Sequence, residues 1–232
     1  MAKRKMDASY EIRKNPVRES VKKKDPPKRS VLEEIGNSIT HGVGALLAVA
    51  ALVVMLLSAD SPRETAAVII YSVGMIIAFS VSCLYHAFPY GSAVKRLFRR
   101  FDYSSIYLLI GATFAPSLLC LFENSFGMTF FITQWVLIGI GISLVGVFGP
   151  CRLRYIHIPT YVTLGWSALM LLPGLITESL PLALFILAGG VAYSIGIIPF
   201  AIKTRASHFI WHFFVLVGAF LQWVGNYFYL IK

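Results

Sequence analysis

Two histidines near the end of the chain stand four residues apart, in the run His208-Phe-Ile-Trp-His212. On a helix, this spacing places both imidazoles on one face, one turn apart. An ionisable side chain within an apolar helix is costly, and it commonly faces a polar cavity or marks a functional site. The pair alone fits equally well with polar residues at the lipid headgroup level. Further polar residues at the same depth would favour a site.

Other apolar segments also carry polar residues near one end. Ser82 and His86 stand four residues apart at the end of the second apolar segment, and Asp102 opens the third. The charge pattern described below puts these residues, His208 and His212 in the same leaflet. Scattered interfacial residues would instead be divided between the two ends of the helices. The shared depth therefore favours a site.

The first apolar segment begins with a further polar group. Glu34, Asn37 and His41 are spaced by three and four residues and share a helix face. Glu33 can take the place of Glu34 in this pattern, since Glu33, Asn37 and His41 also share a face. We expect one of the two glutamates, with Asn37 and His41, to support the site from the first helix.

Metal binding is the chemistry that this set of residues favours. Three neutral imidazoles with one open position are a common arrangement for catalytic zinc, and His86, His208 and His212 supply three. Asp102 would be a fourth ligand, an orienting partner of a ligand or the base for a bound water, and Ser82 would hydrogen-bond that water or a substrate carbonyl. Such a metal activates water at neutral pH for attack on a lipid amide or ester. The alternatives are a structural zinc, or a hydrogen-bonded polar cluster without metal.

The remaining motifs are weaker. His157 stands near Arg152 and Arg154 at the edge of a loop, where we expect an interfacial side chain. No Gly-rich phosphate loop, nucleophile elbow or cysteine-based metal motif is present. The sequence therefore offers one leading candidate site, at one end of the apolar segments.

The composition indicates an integral membrane protein. Of 232 residues, 57% are hydrophobic and 14% are charged, whereas a soluble chain is near half apolar and a quarter charged. Since a membrane-spanning helix needs about 20 apolar residues, we predict an all-α protein, a bundle of seven transmembrane helices. The predicted spans are 36–58, 65–88, 103–121, 128–148, 156–172, 181–200 and 208–230.

Basic residues give this bundle an orientation. Eleven of the 21 Lys and Arg residues lie in residues 1–36, and eight more lie in the second, fourth and sixth connections. Cytoplasmic loops are enriched in Lys and Arg. We therefore predict a cytoplasmic N-terminus, an external C-terminus and a candidate site near the cytoplasmic face.

The basic residues of the N-terminal tail account for much of the net charge of +10. Three prolines interrupt this tail and few apolar residues support it, so we predict that residues 1–30 are disordered. We expect the tail to contact anionic lipids of the inner leaflet and not nucleic acid. Residues 31–232 would form one seven-helix membrane domain.

Four runs of residues resemble the hemolysin III family, the bacterial branch of the progestin and adipoQ receptor family. They are Glu34-Ile-Gly-Asn-Ser-Ile-Thr-His-Gly, Ser82-Cys-Leu-Tyr-His86, Phe101-Asp-Tyr-Ser-Ser-Ile-Tyr-Leu-Leu-Ile and His208-Phe-Ile-Trp-His212. The resemblance extends from about residue 31 to the C-terminus. One departure is Tyr103, which follows Asp102 where many bacterial members have His; a second lies at Thr113–Pro116.

The resemblance implies a seven-helix bundle with a cytoplasmic N-terminus and a zinc ion held by His86, His208 and His212. It implies that Asp102 and Ser82 lie close to the metal, and that the first-helix motif supports them. Eukaryotic relatives are linked to ceramide-directed amide hydrolysis, and the wider superfamily includes alkaline ceramidases. Some bacterial members carry a hemolysin label, and others are associated with membrane energetics or fluidity.

Our leading hypothesis is a bacterial inner-membrane zinc protein that hydrolyses a lipid amide or ester at the cytoplasmic leaflet. The alternative is a non-enzymatic membrane-homeostasis or receptor-like protein, in which zinc fixes the helices. A cytolysin is the least favoured class, because a secreted toxin must stay soluble before attack, whereas seven committed spans suit a resident protein.

Overall fold

The computed structural model describes residues 26–202 and 206–232. Within those ranges the chain is helical, with no β-strand, and Pro26–Ser30 lead into the first helix without regular structure. Residues 1–25 of the predicted tail lie outside the described part. The helices are α1 (Val31–Leu56), α2 (Pro62–Ala87), α3 (Ala93–Cys120), α4 (Ser125–Phe148), α5 (Arg154–Trp166), α6 (Leu172–Glu178), α7 (Leu180–Ile202) and α8 (Ser207–Asn226). A 3₁₀ turn (Ser167–Met170) follows α5, and a π-helical turn (Tyr227–Ile231) follows α8.

Several helices begin at a residue whose side chain caps the first turn. Ser61 accepts a hydrogen bond from the backbone N–H of Glu64, whose carboxylate in turn accepts from the N–H of Ser61. The side chains of Ser92 and Asn124 likewise accept hydrogen bonds from backbone N–H groups in the first turns of α3 and α4, without the reciprocal carboxylate bond. These side chains satisfy backbone donors that have no partner within the helix. The sequence thus determines locally where these helices start.

Six of the helices in the described part of the chain are long and apolar enough to cross a membrane. They are α1, α2, α3, α4, α7 and α8 with its π-helical turn. The predicted fifth span is a broken one: the segment from Arg154 to Met170 and α6 meet at an angle of 46° and reach spanning length only as a pair. Pro173 is the second residue of α6, and proline removes a backbone donor and restricts the residue before it.

One end of the bundle collects the starts of α1, α3 and α8 and the end of α2, and is called the histidine end below. The Glu34 carboxylate of α1 contacts His86 of α2 and Lys95 of α3. His212, in the second turn of α8, contacts the backbone of Asn37 in α1. At the end of α7, the Phe200 ring lies 5.7 Å from that of His208. The consecutive pairs α1–α2, α2–α3 and α7–α8 are therefore antiparallel, as their short connections predict.

Small residues let α2 and α3 approach closely. A methyl group added at Gly74 of α2 would overlap the Ala112 side chain of α3. Gly141 of α4 similarly receives the Tyr107 ring of α3, which is fully buried. Packing of this kind is a main source of helix association within lipid, where apolar burial gives little driving force. These contacts with α2 on one side and α4 on the other position α3 at the centre of the bundle.

The Gly74 contact predicts a stability difference between two glycine-to-alanine variants. Gly74→Ala should destabilise the bundle, because overpacking costs typically about 1–3 kcal/mol. Gly139→Ala is the matched control, since Gly139 lies in the interior of α4, is exposed and has open space around its Cα. Apparent melting temperature in detergent should fall by several degrees for Gly74→Ala alone. Equal melting temperatures for the two variants would contradict the close approach.

Candidate metal centre

Three histidine side chains meet at the histidine end. His86 comes from the end of α2, and His208 and His212 come from successive turns at the start of α8. The Nε2 atom of His208 lies 3.2 Å from Nε2 of His86 and 3.2 Å from Nε2 of His212. One nitrogen from each ring lies within 4.8 Å of the other two. The i, i+4 pair and the distant third histidine thus form a single cluster.

This spacing fits a divalent metal ion. A tetrahedral zinc with Zn–N distances of 2.0–2.1 Å holds its nitrogen ligands about 3.3 Å apart, and the Nε2 atoms lie 3.2 Å apart in two of the three pairs. Three imidazoles also leave one position for a further ligand. Imidazole nitrogen suits several transition metals, so the geometry supports a metal centre without fixing the metal.

A carboxylate fixes the ring of His86. Glu34 Oε2 lies 2.6 Å from His86 Nδ1. Since an ionised carboxylate only accepts hydrogen bonds, Nδ1 carries the hydrogen and the lone pair of Nε2 faces the cluster. This carboxylate–histidine arrangement is the usual outer shell of a metal-binding histidine.

Lys95 neutralises the same carboxylate. Its Nζ lies 3.2 Å from Glu34 Oε1 and donates a hydrogen bond of 2.9 Å to the carbonyl of Phe88. The lysine is 1% exposed. A buried cation is tolerated when paired and hydrogen-bonded, so Lys95 completes a charge-balanced chain from α3 through α1 to α2.

The first helix also supports His212. The backbone carbonyl of Asn37 lies 3.3 Å from His212 Nδ1, which again leaves Nε2 facing the cluster. The ring of His41 stacks on that of His212, with centroids 3.7 Å apart and planes 5° from parallel. Phe79 contacts the His41 ring edge-on. Both nitrogens of His41 are buried without a hydrogen-bond partner among the described residues.

Asp102 and Ser82 lie together beside the cluster. The Ser82 hydroxyl is within interaction range of the Asp102 carboxyl, and His86 is close enough to act on that carboxyl electrostatically. Both residues line a cavity together with His41, His208 and His212. A carboxylate so placed can orient a ligand or exchange a proton with a polar group in the cavity.

The cavity extends from this polar end into the interior of the bundle. On α3 its lining runs from Asp102 to Ser117, about 22 Å along a helix at 1.5 Å per residue. Most of the lining beyond the polar end is apolar, including Ile106, Leu109 and Phe114. This length of cavity lining along α3 exceeds half of the thickness of a bilayer's hydrocarbon core, which is roughly 30 Å. The cavity therefore reaches from the histidine cluster deep into the bundle, between apolar walls.

The sequence-predicted residues are therefore brought together in space. His86, His208 and His212 form the cluster, Ser82, Asp102 and His41 line the adjoining cavity, and Asn37 contacts His212. Of the two glutamates, Glu34 reaches the cluster, whereas Glu33 pairs with Arg29.

Two polar features were not foreseen. Lys95 is one of the basic residues that we expected in the second connection, yet its side chain is buried against Glu34. His157 was expected at the interface but is fully buried, with its Nδ1 3.0 Å from the Tyr107 hydroxyl. Both residues stand at loop edges, where the sequence does not show which side chains are drawn inward by contacts with other helices.

Comparison with known proteins places this chain in a family. The family model of haemolysin-III-related proteins matches residues 29–223. "Hemolysin-3" of Bacillus cereus is 35% identical over 207 residues, which cover 87% of this chain and 93% of that protein. "Hemolysin-3 homolog" of Bacillus subtilis strain 168 is 32% identical, covering 88% and 97%. Human "Monocyte to macrophage differentiation factor" is 26% identical over 220 residues, covering 88% and 87%. This multi-pass membrane protein therefore belongs to the haemolysin-III-related family.

Proposed function

We propose that the chain crosses the cell's inner or plasma membrane seven times, with a cytoplasmic N-terminus and an external C-terminus. The support is the distribution of Lys and Arg, 19 of 21 of which lie in the tail, in three alternate connections or in the first turns of the helices that follow those connections. The ends of α2, α4 and α7 and the start of α3 adjoin those connections. In this orientation the histidine end faces the inner leaflet.

We further propose a zinc-dependent hydrolase that acts on an amide or ester bond of a membrane lipid. The observation that carries this proposal is the convergence of three Nε2 atoms beside a carboxyl, at the polar end of a long apolar cavity. His86, His208 and His212 would hold the zinc. When bound, zinc supplies Lewis acidity and activates water as a nucleophile at neutral pH.

The protein's own residues would position the lipid and move protons. The apolar lining beyond Asp102 would take the acyl chain and keep bulk water from the reacting bond. The Asp102 carboxylate would accept a proton from the attacking water, and the Ser82 hydroxyl would hydrogen-bond that carboxylate or the substrate carbonyl. Glu34 would hold the His86 ring in the tautomer that presents Nε2.

A non-enzymatic role is the alternative. The contacts around the cluster join α1, α2, α3 and α8, so a bound metal would cross-link helices distant in sequence even without turnover. In that case the protein would serve membrane homeostasis or respond to a lipid as a receptor. A cytolytic role is the third candidate, suggested only by the names of two bacterial relatives.

Metal content of the purified protein tests the zinc centre. Elemental mass spectrometry should find about one zinc per chain in the wild type and almost none when His208 and His212 are both replaced by Ala. Glu34→Gln should weaken zinc affinity by roughly 10–100-fold, the usual effect of losing an orienting carboxylate. Glu33→Gln is the control, because the adjacent Glu33 pairs with Arg29 and not with His86. A wild type that takes up no zinc would exclude the proposed hydrolase.

Asp102→Asn separates catalysis from structure. We expect it to retain zinc and to lower hydrolysis of a long-chain ceramide or acyl ester by about 10²–10⁴-fold, the usual contribution of an acid–base group. Asp60→Asn, an exposed change at the opposite end of the bundle, should leave the rate unchanged. Zinc-loaded wild type that cleaves none of these lipids would favour the non-enzymatic role. Loss of zinc from Asp102→Asn would instead make Asp102 a ligand.

A larger side chain in the cavity should change the acyl-chain length that the proposed hydrolase prefers. Gly190 lines the cavity with open space around its Cα, ten residues before Phe200, or about 15 Å along α7 from the histidine end. Gly190→Leu should slow cleavage of a 16-carbon acyl substrate at least tenfold and spare a 6-carbon one. Gly139→Leu, on the exposed face of α4, is the control. Equal slowing of both substrates would argue against an acyl-binding cavity.

A further inference from the structure

A second polar feature of the histidine end is a groove between the start of α3 and the loop that follows α4. Four arginines line it: Arg96, Arg99, Arg100 and Arg152. The remaining lining residues are apolar or small, and no carboxylate belongs to the lining within the described part of the chain. Four guanidinium groups around one groove create a strongly positive local field.

Two of the arginines contact residues of α4 or of the turn that ends it. Arg100 Nη1 donates a hydrogen bond of 2.8 Å to the carbonyl of Gly146, near the end of α4. Its guanidinium also lies beside Gly149, whose positive φ of 77° turns the chain out of α4. The Arg152 guanidinium stands 5.5 Å from the centre of the Phe148 ring. Both side chains are thereby oriented by α4.

The outer wall of the groove is apolar and exposed. Leu97 of α3 and Val147 and Phe148 of α4 line the groove, and Val147 is 70% exposed. In a membrane protein such side chains face the acyl chains of neighbouring lipids. A small soluble anion or a nucleic acid makes no use of this wall, whereas a phospholipid has both a phosphate and acyl chains.

We propose that this groove binds the phosphate of an anionic phospholipid, whose acyl chains lie along the outer faces of α3 and α4. Guanidinium groups match phosphate oxygens with paired hydrogen bonds, and basic pockets at the ends of transmembrane helices bind anionic headgroups. The positive lining selects lipids with a net negative headgroup, because the ammonium of a zwitterionic headgroup would be repelled. This binding site is independent of the proposed hydrolase.

The site adjoins the metal centre through α3. The Arg99 guanidinium lies 5.9 Å from the centre of the Tyr103 ring, and Tyr103 lines the cavity next to Asp102. One turn of helix therefore carries residues of both sites. A lipid in the groove would pack against the same helix that supplies the proposed catalytic carboxylate.

Lipid titration followed by native mass spectrometry tests this proposal. Full-length, delipidated protein in detergent is titrated with a phosphatidylglycerol, with a phosphatidylcholine of the same chains, and with inorganic phosphate. The wild type should bind one phosphatidylglycerol at low concentration and the other two probes at least tenfold more weakly. Arg152→Gln should weaken phosphatidylglycerol binding roughly fivefold, the effect of about one basic residue at a membrane surface.

Arg154→Gln is the matched control for this experiment. Arg154 begins α5, two residues after Arg152, and its guanidinium lies over the ring of Tyr155, 4.7 Å from the centre, but it does not line the groove. Within the described part of the chain, Arg152 makes no hydrogen bond to another helix. An unchanged melting temperature would show that Arg152→Gln folds. Equal weakening by the two variants would attribute binding to general surface charge and overturn the proposal. Binding of inorganic phosphate as tight as that of phosphatidylglycerol would overturn its lipid assignment.

Discussion

The contact between the Glu34 carboxylate and the His86 ring is the interaction on which the rest of the histidine end depends. Within a bilayer, an unpaired carboxylate or an unoriented imidazole is costly. In this structure the Glu34 carboxylate is paired and the His86 ring is oriented, since one carboxylate oxygen accepts from His86 and the other contacts Lys95. The three side chains come from α1, α2 and α3, so satisfying the carboxylate also fixes the relative positions of three helices.

The central position of α3 explains why the candidate site and the apolar cavity adjoin. This helix carries Lys95 and Asp102 near its start and then supplies a wall of the cavity as far as Ser117. Its close contact with α2 at Gly74 brings Ser82 and His86 to the same depth in the bundle as Lys95 and Asp102. Polar chemistry at one end and an apolar channel beyond it are therefore two parts of one helix surface.

The sequence predicted the family through four motifs and the all-helical membrane fold through the length of its apolar segments. Six of the seven predicted spans are continuous helices. The grouping of His86 with His208 and His212 was also predictable, since helix direction alone puts their turns at one end. The break before α6 was missed, because the apolar run continues through it and the effect of Pro173 was not considered. Lys95 and His157 were misjudged for a different reason: both stand at loop edges, and only tertiary contacts draw them inward.

The wide separation of the clustered residues along the chain has a consequence for biosynthesis. His86 leaves the ribosome well before His208, which follows it by 122 positions, and the Asn37 carbonyl that orients His212 precedes that histidine by 175. The whole segment from Asn37 to His212 must be made and inserted before these groups can meet. Until the last helix docks, Glu34 and His86 can form only part of the arrangement. The cluster therefore forms late in assembly, only in molecules in which α1, α2 and α8 have packed together.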